Sequence, residues 1–198
     1  MRTIKKVASH IFIDGFGGMT QGLFATLIIG TMIQQIGLLI GGSTGNVIYL
    51  LGKAAAALTS AGIGVGVAVK YGESPLVTVS AAVAAMVGGY AGKITGGTFF
   101  VDGNAVLAGP GEPLGAFIAA FAGITCGHLV SGKTKVDIIV TPVITIGAGS
   151  VVGLLVGPPI SHMMTGLGSI INWATEQRPF IMGIVVSVVM GMVLTLPI

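Results

Sequence analysis

The sequence has few charged side chains for its length. Of its 198 residues only 8% are Asp, Glu, Lys or Arg, whereas 53% are strongly hydrophobic and the mean hydropathy is +1.00. A soluble domain carries about 25% charged residues, so this chain has too few to cover a water-exposed surface. The composition predicts one membrane domain over residues 1–198. Because a spanning helix needs about 20 apolar residues, the chain has room for about six spanning helices.

Other scarce or missing features exclude several kinds of site. The single cysteine, Cys126, allows neither an intramolecular disulfide nor a thiolate metal cluster. The cations are scattered rather than clustered, which argues against nucleic-acid binding. The sequence has no GxxxxGK[ST], GxGxxG or GxSxG motif in a strand–turn–helix context. We therefore expect no catalytic nucleophile, no metal and no cofactor in this chain.

Charges and Gly/Pro clusters separate the apolar runs, because a charge at mid-bilayer costs at least about 2.5–3.5 kcal/mol. The predicted spans are residues 19–40, 54–69, 75–91, 114–130, 138–156 and 180–198, with residues 46–52 as an interfacial lead-in to the second. Glycine is abundant, with 34 residues. Glycine favours close helix packing, and it is also found in the broken helices of transporters. The sequence thus predicts an all-α, polytopic membrane fold of short glycine-rich helices.

The basic residues predict a cytoplasmic N-terminus. In that orientation the inner segments hold six cations and the outer segments three. The inner ones are Arg2, Lys5, Lys6, Lys70, Lys133 and Lys135, and the outer ones are Lys53, Lys93 and Arg178. Two amphipathic stretches, 1–12 and 161–176, are predicted to lie in the membrane interface, the first on the inner leaflet. The membrane-embedded part is then residues 19–198.

Residues 95–115, TGGTFFVDGNAVLAGPGEPLG, form the most informative polar stretch. It is too polar and too interrupted by Gly and Pro to span the membrane as a helix, which predicts a re-entrant or broken segment. Glu112 lies in it, and an ionisable group at membrane depth usually marks a binding site or pathway. A carboxylate that accepts hydrogen bonds from hydroxyls is a common way to hold a sugar or polyol. Alternatively, Glu112 is an interfacial residue that complements a helix dipole.

Other residues are candidates for the same site. Further substrate-binding candidates are Asp102, Asn104, Gly109 and Gly111. Asp-Gly-Asn is equally typical of a simple turn. His162 and His128 are secondary candidates. An interfacial histidine is the commoner interpretation of His128, and no second histidine or carboxylate lies three or four residues after His162 to suggest a metal site.

Several of these runs resemble a known family. They are Ser60–Tyr90, Gly115–Val130, Thr141–Met164 and Phe180–Ile198, and Gly157-Pro158-Pro159-Ile160 closes a glycine-rich span. Over about residues 60–198 the chain resembles enzyme IIC (EIIC), the membrane component of the bacterial phosphotransferase system (PTS) for sugar uptake. The nearest branch is the fructose-related one, which includes stand-alone EIIC-like proteins described as regulators of toxin genes.

The resemblance implies a subunit of the bacterial cell membrane that binds an external sugar or polyol and carries it across by alternating access. A separate cytoplasmic IIB phosphocarrier would then phosphorylate the sugar, so phosphotransferase activity would need that partner. Family members continue through further spans, and we therefore expect a truncated form, a half-length relative, or a chain whose second half is supplied by another copy. The glycine-rich faces allow a homodimer. A membrane-embedded regulator without transport and a passive small-solute channel are the alternative functions.

Overall fold

The computed structural model describes residues 10–101, 104–107, 109–176 and 179–195, most of which are helical. Helix α1 covers residues 10–40 and includes π-helical turns at His10–Gly15 and Phe24–Ile28. The elements that follow are α2 (Gly42–Ala57), α3 (Thr59–Lys70), α4 (Pro75–Gly89), α5 (Ala91–Thr95), β1 (Phe100–Val101), β2 (Asn104–Ala105), α6 (Pro113–Val130), α7 (Asp137–Thr175) and α8 (Pro179–Thr195).

The predicted all-α membrane class is confirmed, but six full-length spans are not. In the described residues, three helices are long and apolar enough to cross a membrane: Ile13–Ile40, Pro113–Val130 and Asp137–Thr175. A fourth crossing is available if α2 and α3 together form one bent span. Helix α4 and the apolar part of α8 are shorter apolar helices. Most of the predicted inner-leaflet helix at 1–12 lies outside the described residues.

A bend at Leu58 divides the second predicted span. Helices α2 and α3 meet there at 52°, and the residues expected to form an interfacial lead-in, 46–52, lie within α2. The Thr59 hydroxyl donates to the Ala56 carbonyl at 2.6 Å. Such a bond offers the backbone an alternative to the regular helical pattern and often accompanies a bend. Lys53, taken from the sequence as a span boundary, is an exposed residue inside α2.

Helix α7 combines two elements that the sequence predicts as separate. The fifth span and the interfacial stretch 161–176 form one helix of 39 residues, Asp137–Thr175. At 1.5 Å per residue it is about 58 Å long, well beyond the ~30 Å of a bilayer core. Pro158 and Pro159 lie inside it without ending it. Proline removes a backbone donor, but its fixed φ is compatible with a helix.

The core combines alanines with larger apolar side chains. Its buried members on α1, α3, α4 and α6 are Met19, Ile63, Val67, Ala68, Val77, Ala81, Ala85, Ala116, Phe117, Ala120 and Ile124. Near the α4 C-terminus, a Cβ added to Gly88 would lie 2.5 Å from the Gly115 carbonyl oxygen of α6. A Cβ on Gly153 of α7 would lie 2.8 Å from the Gly88 Cα. The three backbones therefore lie in close contact at this junction, as tight helix packing through glycine requires.

The stretch 95–115 is non-helical between α5 and α6 in its described residues. Strands β1 and β2 pair antiparallel, with Phe100 opposite Ala105 and Val101 opposite Asn104. An irregular loop then leads to Glu112, directly before the first residue of α6. The expected break in helical structure is confirmed, and the re-entrant alternative stays a prediction.

Candidate functional site

The loop before α6 has a backbone that requires glycine. Gly109 and Gly111 have φ values of +81° and +75°, in the region that side chains with a Cβ rarely adopt. Gly111 also lies against α3, because a Cβ there would come within 2.5 Å of the Ser60 hydroxyl oxygen. The loop can follow this path only with glycine at these positions.

Two buried hydroxyls hold this loop. The Ser60 hydroxyl, at the start of α3, donates to the Pro110 carbonyl at 2.9 Å. The Tyr90 hydroxyl, just after α4, donates to the Gly109 carbonyl. Both donors are almost fully buried, with exposed fractions of 0% for Ser60 and 1% for Tyr90. The loop is thus attached to two helices of the core.

Glu112 follows this loop and precedes α6 by one residue. Its N–H donates to the Gly89 carbonyl at 2.7 Å. One carboxylate oxygen, Oε1, lies 3.5 Å from the Ser161 hydroxyl, which donates to it across a long hydrogen bond. Burial raises the pKa of Glu112 above its usual value, while the Ser161 hydrogen bond and the positive charge of Lys93 act in the opposite direction. The carboxylate is therefore half-buried, fixed at its backbone and still able to accept hydrogen bonds.

A cavity of about 370 Å³ lies between the α5 region and α7. Its polar lining includes Thr95, Ser161, His162 and Thr165. Ser161 is shared by the cavity and the Glu112 contact, so the carboxylate lies next to the cavity. The volume lies within the range of small-molecule sites. Three hydroxyls, an imidazole and a nearby carboxylate are groups that exchange hydrogen bonds with a neutral polyol.

Lys93 provides a positive charge that acts on Glu112. Its Nζ lies 5.3 Å from the centre of the Tyr90 ring, in a cation–π arrangement. The same ring packs against Phe99 with a centroid separation of 5.4 Å. Tyr90 therefore joins the loop, a cation and an aromatic neighbour in one cluster.

The other predicted site residues are distributed unevenly. His162 lines the cavity beside Ser161. Asn104 is an exposed residue of the β-hairpin, paired with Val101. Asp102 lies outside the described residues. Of the candidates, the structure thus gathers Glu112, Gly109, Gly111 and His162 in one region.

His128 belongs to a different cluster. It lies in the last turn of α6, about 24 Å from Glu112 along the helix axis. Its Nδ1 is 2.9 Å from the Glu73 Oε1, and both side chains line a second cavity of about 350 Å³. Tyr71 also lines this cavity, and burial, with the nearby Asp14 charge, raises the pKa of Tyr71 to about 12.

Sequence reasoning missed Ser60, Tyr90, Ser161 and Lys93 as residues of the Glu112 region. Ser60 and Pro110 are 50 positions apart, and no local pattern indicates such a contact. Ser161 is the exception, because it directly follows Gly-Pro-Pro-Ile and precedes the candidate His162. The position of Ser161 in the sequence could therefore have indicated that it belongs to the site.

Comparison with protein families decides the class of this membrane protein. The family described as "Phosphotransferase system, EIIC" matches residues 13–198. The chain belongs to this EIIC family. The match begins well before residue 60, where the sequence resemblance was expected to start, so α1 and α2 are part of the family pattern. Comparisons with curated proteins and with solved structures give no match to this chain. The EIIC chain is accordingly a membrane component of the phosphotransferase system.

Proposed function

We propose that this EIIC chain binds a sugar or polyol beside Glu112 and translocates it for phosphorylation by a separate cytoplasmic IIB partner. The observation that carries the proposal is the position of the Glu112 carboxylate, which lies next to a hydroxyl-lined cavity on a loop attached to the core. A carboxylate forms charge-assisted hydrogen bonds to hydroxyl donors, and these are stronger than neutral ones. His162 and Thr165 would complete the contacts to the substrate.

The arrangement of charge supports an orientation for this proposal. Lys70 ends α3, and Lys133 lies in the connection after α6. Glu112 lies at the other end of α6. Because short basic connections stay cytoplasmic, Glu112 would face the outside and the N-terminus the inside. This orientation would admit an external sugar at Glu112.

We place the chain in the fructose-related branch, in the bacterial inner membrane and as a homodimer. Large apolar side chains exposed on α1 and α2, among them Met32, Ile36, Leu50 and Leu51, support a surface that faces lipid or a second copy. Phosphotransferase activity would arise only with the IIB partner, which supplies the phosphoryl group.

Exchange of labelled sugar in proteoliposomes tests this function. Vesicles loaded with unlabelled D-fructose, D-mannitol, D-glucose or galactitol would be diluted into the same labelled compound. We expect saturable exchange of at least one compound by the wild type, loss of exchange in Glu112→Gln, and normal exchange in the control Glu176→Gln at the α7 C-terminus. Non-saturable flux in all three would favour the channel. No flux in any of them would favour the regulator.

A further inference from the structure

We propose that Tyr90 and Ser60 are positioning residues that hold the Glu112 carboxylate in its sugar-binding geometry. This inference rests on the proposed function, because it explains how the loop presents the group that binds the sugar. It adds two residues, Ser60 at the start of α3 and Tyr90 just after α4. The sequence gives no reason to connect either of them with Glu112.

The loop has little regular structure of its own. Two of its residues, Gly109 and Gly111, adopt positive φ values, and glycine has more conformational freedom to lose than any other residue. Gly109 and Pro110 direct their carbonyls to the hydroxyls of Tyr90 and Ser60. The backbone just before the carboxylate is therefore fixed by side chains rather than by a helix or a sheet.

A third bond fixes the next part of the same path. The Glu112 N–H donates to the Gly89 carbonyl at 2.7 Å, and Gly89 directly precedes Tyr90. Tyr90 thus belongs to the segment that holds both ends of the loop. Its hydroxyl also lies 3.4 Å from the Ala57 carbonyl, next to the bend between α2 and α3. One phenol therefore connects the Glu112 loop to the broken span.

The burial of the Tyr90 and Ser60 hydroxyls explains why their two hydrogen bonds should fix the position of the Glu112 carboxylate. Water does not reach either hydroxyl in this structure, so a lost bond is not replaced by solvent without rearrangement. Loosening the loop would leave the Glu112 carboxylate intact but spread it over several positions. A charge-assisted hydrogen bond depends on distance and direction, so the affinity for sugar would fall. Removing one such hydroxyl should weaken sugar binding about 3- to 10-fold.

A double-mutant cycle separates positioning from a general effect on the fold. Tyr90→Phe and Ser60→Ala would each be made in the wild type and in Glu112→Gln. Binding of D-fructose, D-mannitol, D-glucose and galactitol to the purified chain in detergent would be measured by calorimetry. Tyr49→Phe on α2 is the matched hydroxyl deletion outside the loop. Labelling of Cys126 during heating would report whether each variant is folded.

If Tyr90 and Ser60 position Glu112, Tyr90→Phe and Ser60→Ala should each lower the affinity for sugar 3- to 10-fold in the wild type. Neither substitution should lower it further in Glu112→Gln. Tyr49→Phe should bind like the wild type. Equal losses in both backgrounds, or no loss in the wild type, would overturn the positioning role while leaving the proposed function in place. Unchanged affinity in Glu112→Gln, or no binding by the wild type, would overturn the proposed function itself. If Tyr90→Phe does not fold, Ser60→Ala decides between the same outcomes.

Discussion

Substituting Gly88 by alanine tests the three-helix junction on which the site is built. A Cβ there would meet the Gly115 carbonyl at 2.5 Å as well as the Ala119 side chain. Overpacking costs about 1–3 kcal/mol, and a backbone obstacle favours the upper part of that range. The better helix propensity of alanine returns about 0.5–1 kcal/mol. We therefore expect Gly88→Ala to lower the free energy of unfolding by about 1–2 kcal/mol.

Gly147→Ala is the matched control on α7, because nothing lies within 4 Å of an added Cβ there. This variant should gain stability from the better helix propensity of alanine without the cost of overpacking. The free energies of unfolding of the two variants should therefore differ by about 2 kcal/mol. Both would be unfolded by SDS titration in mixed micelles, with exposure of the half-buried Cys126 followed by thiol labelling. Equal stability of the two variants would refute the close packing of α4, α6 and α7.

Three further predictions concern the loops and pH. Sugar affinity should fall as pH decreases through the raised pKa of Glu112, because protonation removes the charged acceptor, and Glu112→Gln should lack this fall. Without a ligand, pH should affect stability in the opposite direction. The pKa of Glu112 is higher in the folded chain than in the unfolded chain, so the melting temperature should decrease as pH rises through the folded-state pKa. Gly111→Ala should lose sugar affinity and stability together, since φ is +75° and Ser60 leaves no room; calorimetry and melting would both detect it. Asp137→Ala should cost about 0.5–1.5 kcal/mol in SDS titration, because Asp137 accepts bonds from the Gly132 N–H at 2.9 Å and the Thr141 hydroxyl at 2.6 Å.

Composition and charge were sufficient to predict the membrane class and to single out Glu112. A lone carboxylate in the run Gly109-Pro110-Gly111-Glu112-Pro113 is conspicuous in a chain with so few charges. The glycines beside it were also predictable, since a loop of this kind needs positive φ values. By contrast, Ser60 and Tyr90 lie at the ends of apolar helices, and their roles depend on contacts between distant segments. The hydrophobic periodicity of a sequence does not indicate contacts between distant segments.

The helix boundaries likewise could not be predicted from local sequence signals alone. Pro158 and Pro159 suggested a break, but α7 continues through them. The bend at Leu58 has neither proline nor glycine at the break and was not predicted. Lys53 suggested a boundary because a charge is costly in the membrane, yet it lies within α2. Local signals identify which residues disfavour a regular span, while tertiary packing decides where the helix bends.

Ligand-dependent melting of the purified chain tests the central claim most directly. Wild type, Glu112→Gln and Glu176→Gln would be heated in detergent with sugars, polyols and their phosphates. A ligand that binds only the folded state raises the melting temperature. We predict that at least one sugar or polyol stabilises the wild type and Glu176→Gln, and that Glu112→Gln binds it about 10- to 150-fold more weakly, equivalent to about 1.5–3 kcal/mol. Equal stabilisation of all three proteins, or of none, would contradict a sugar site at Glu112.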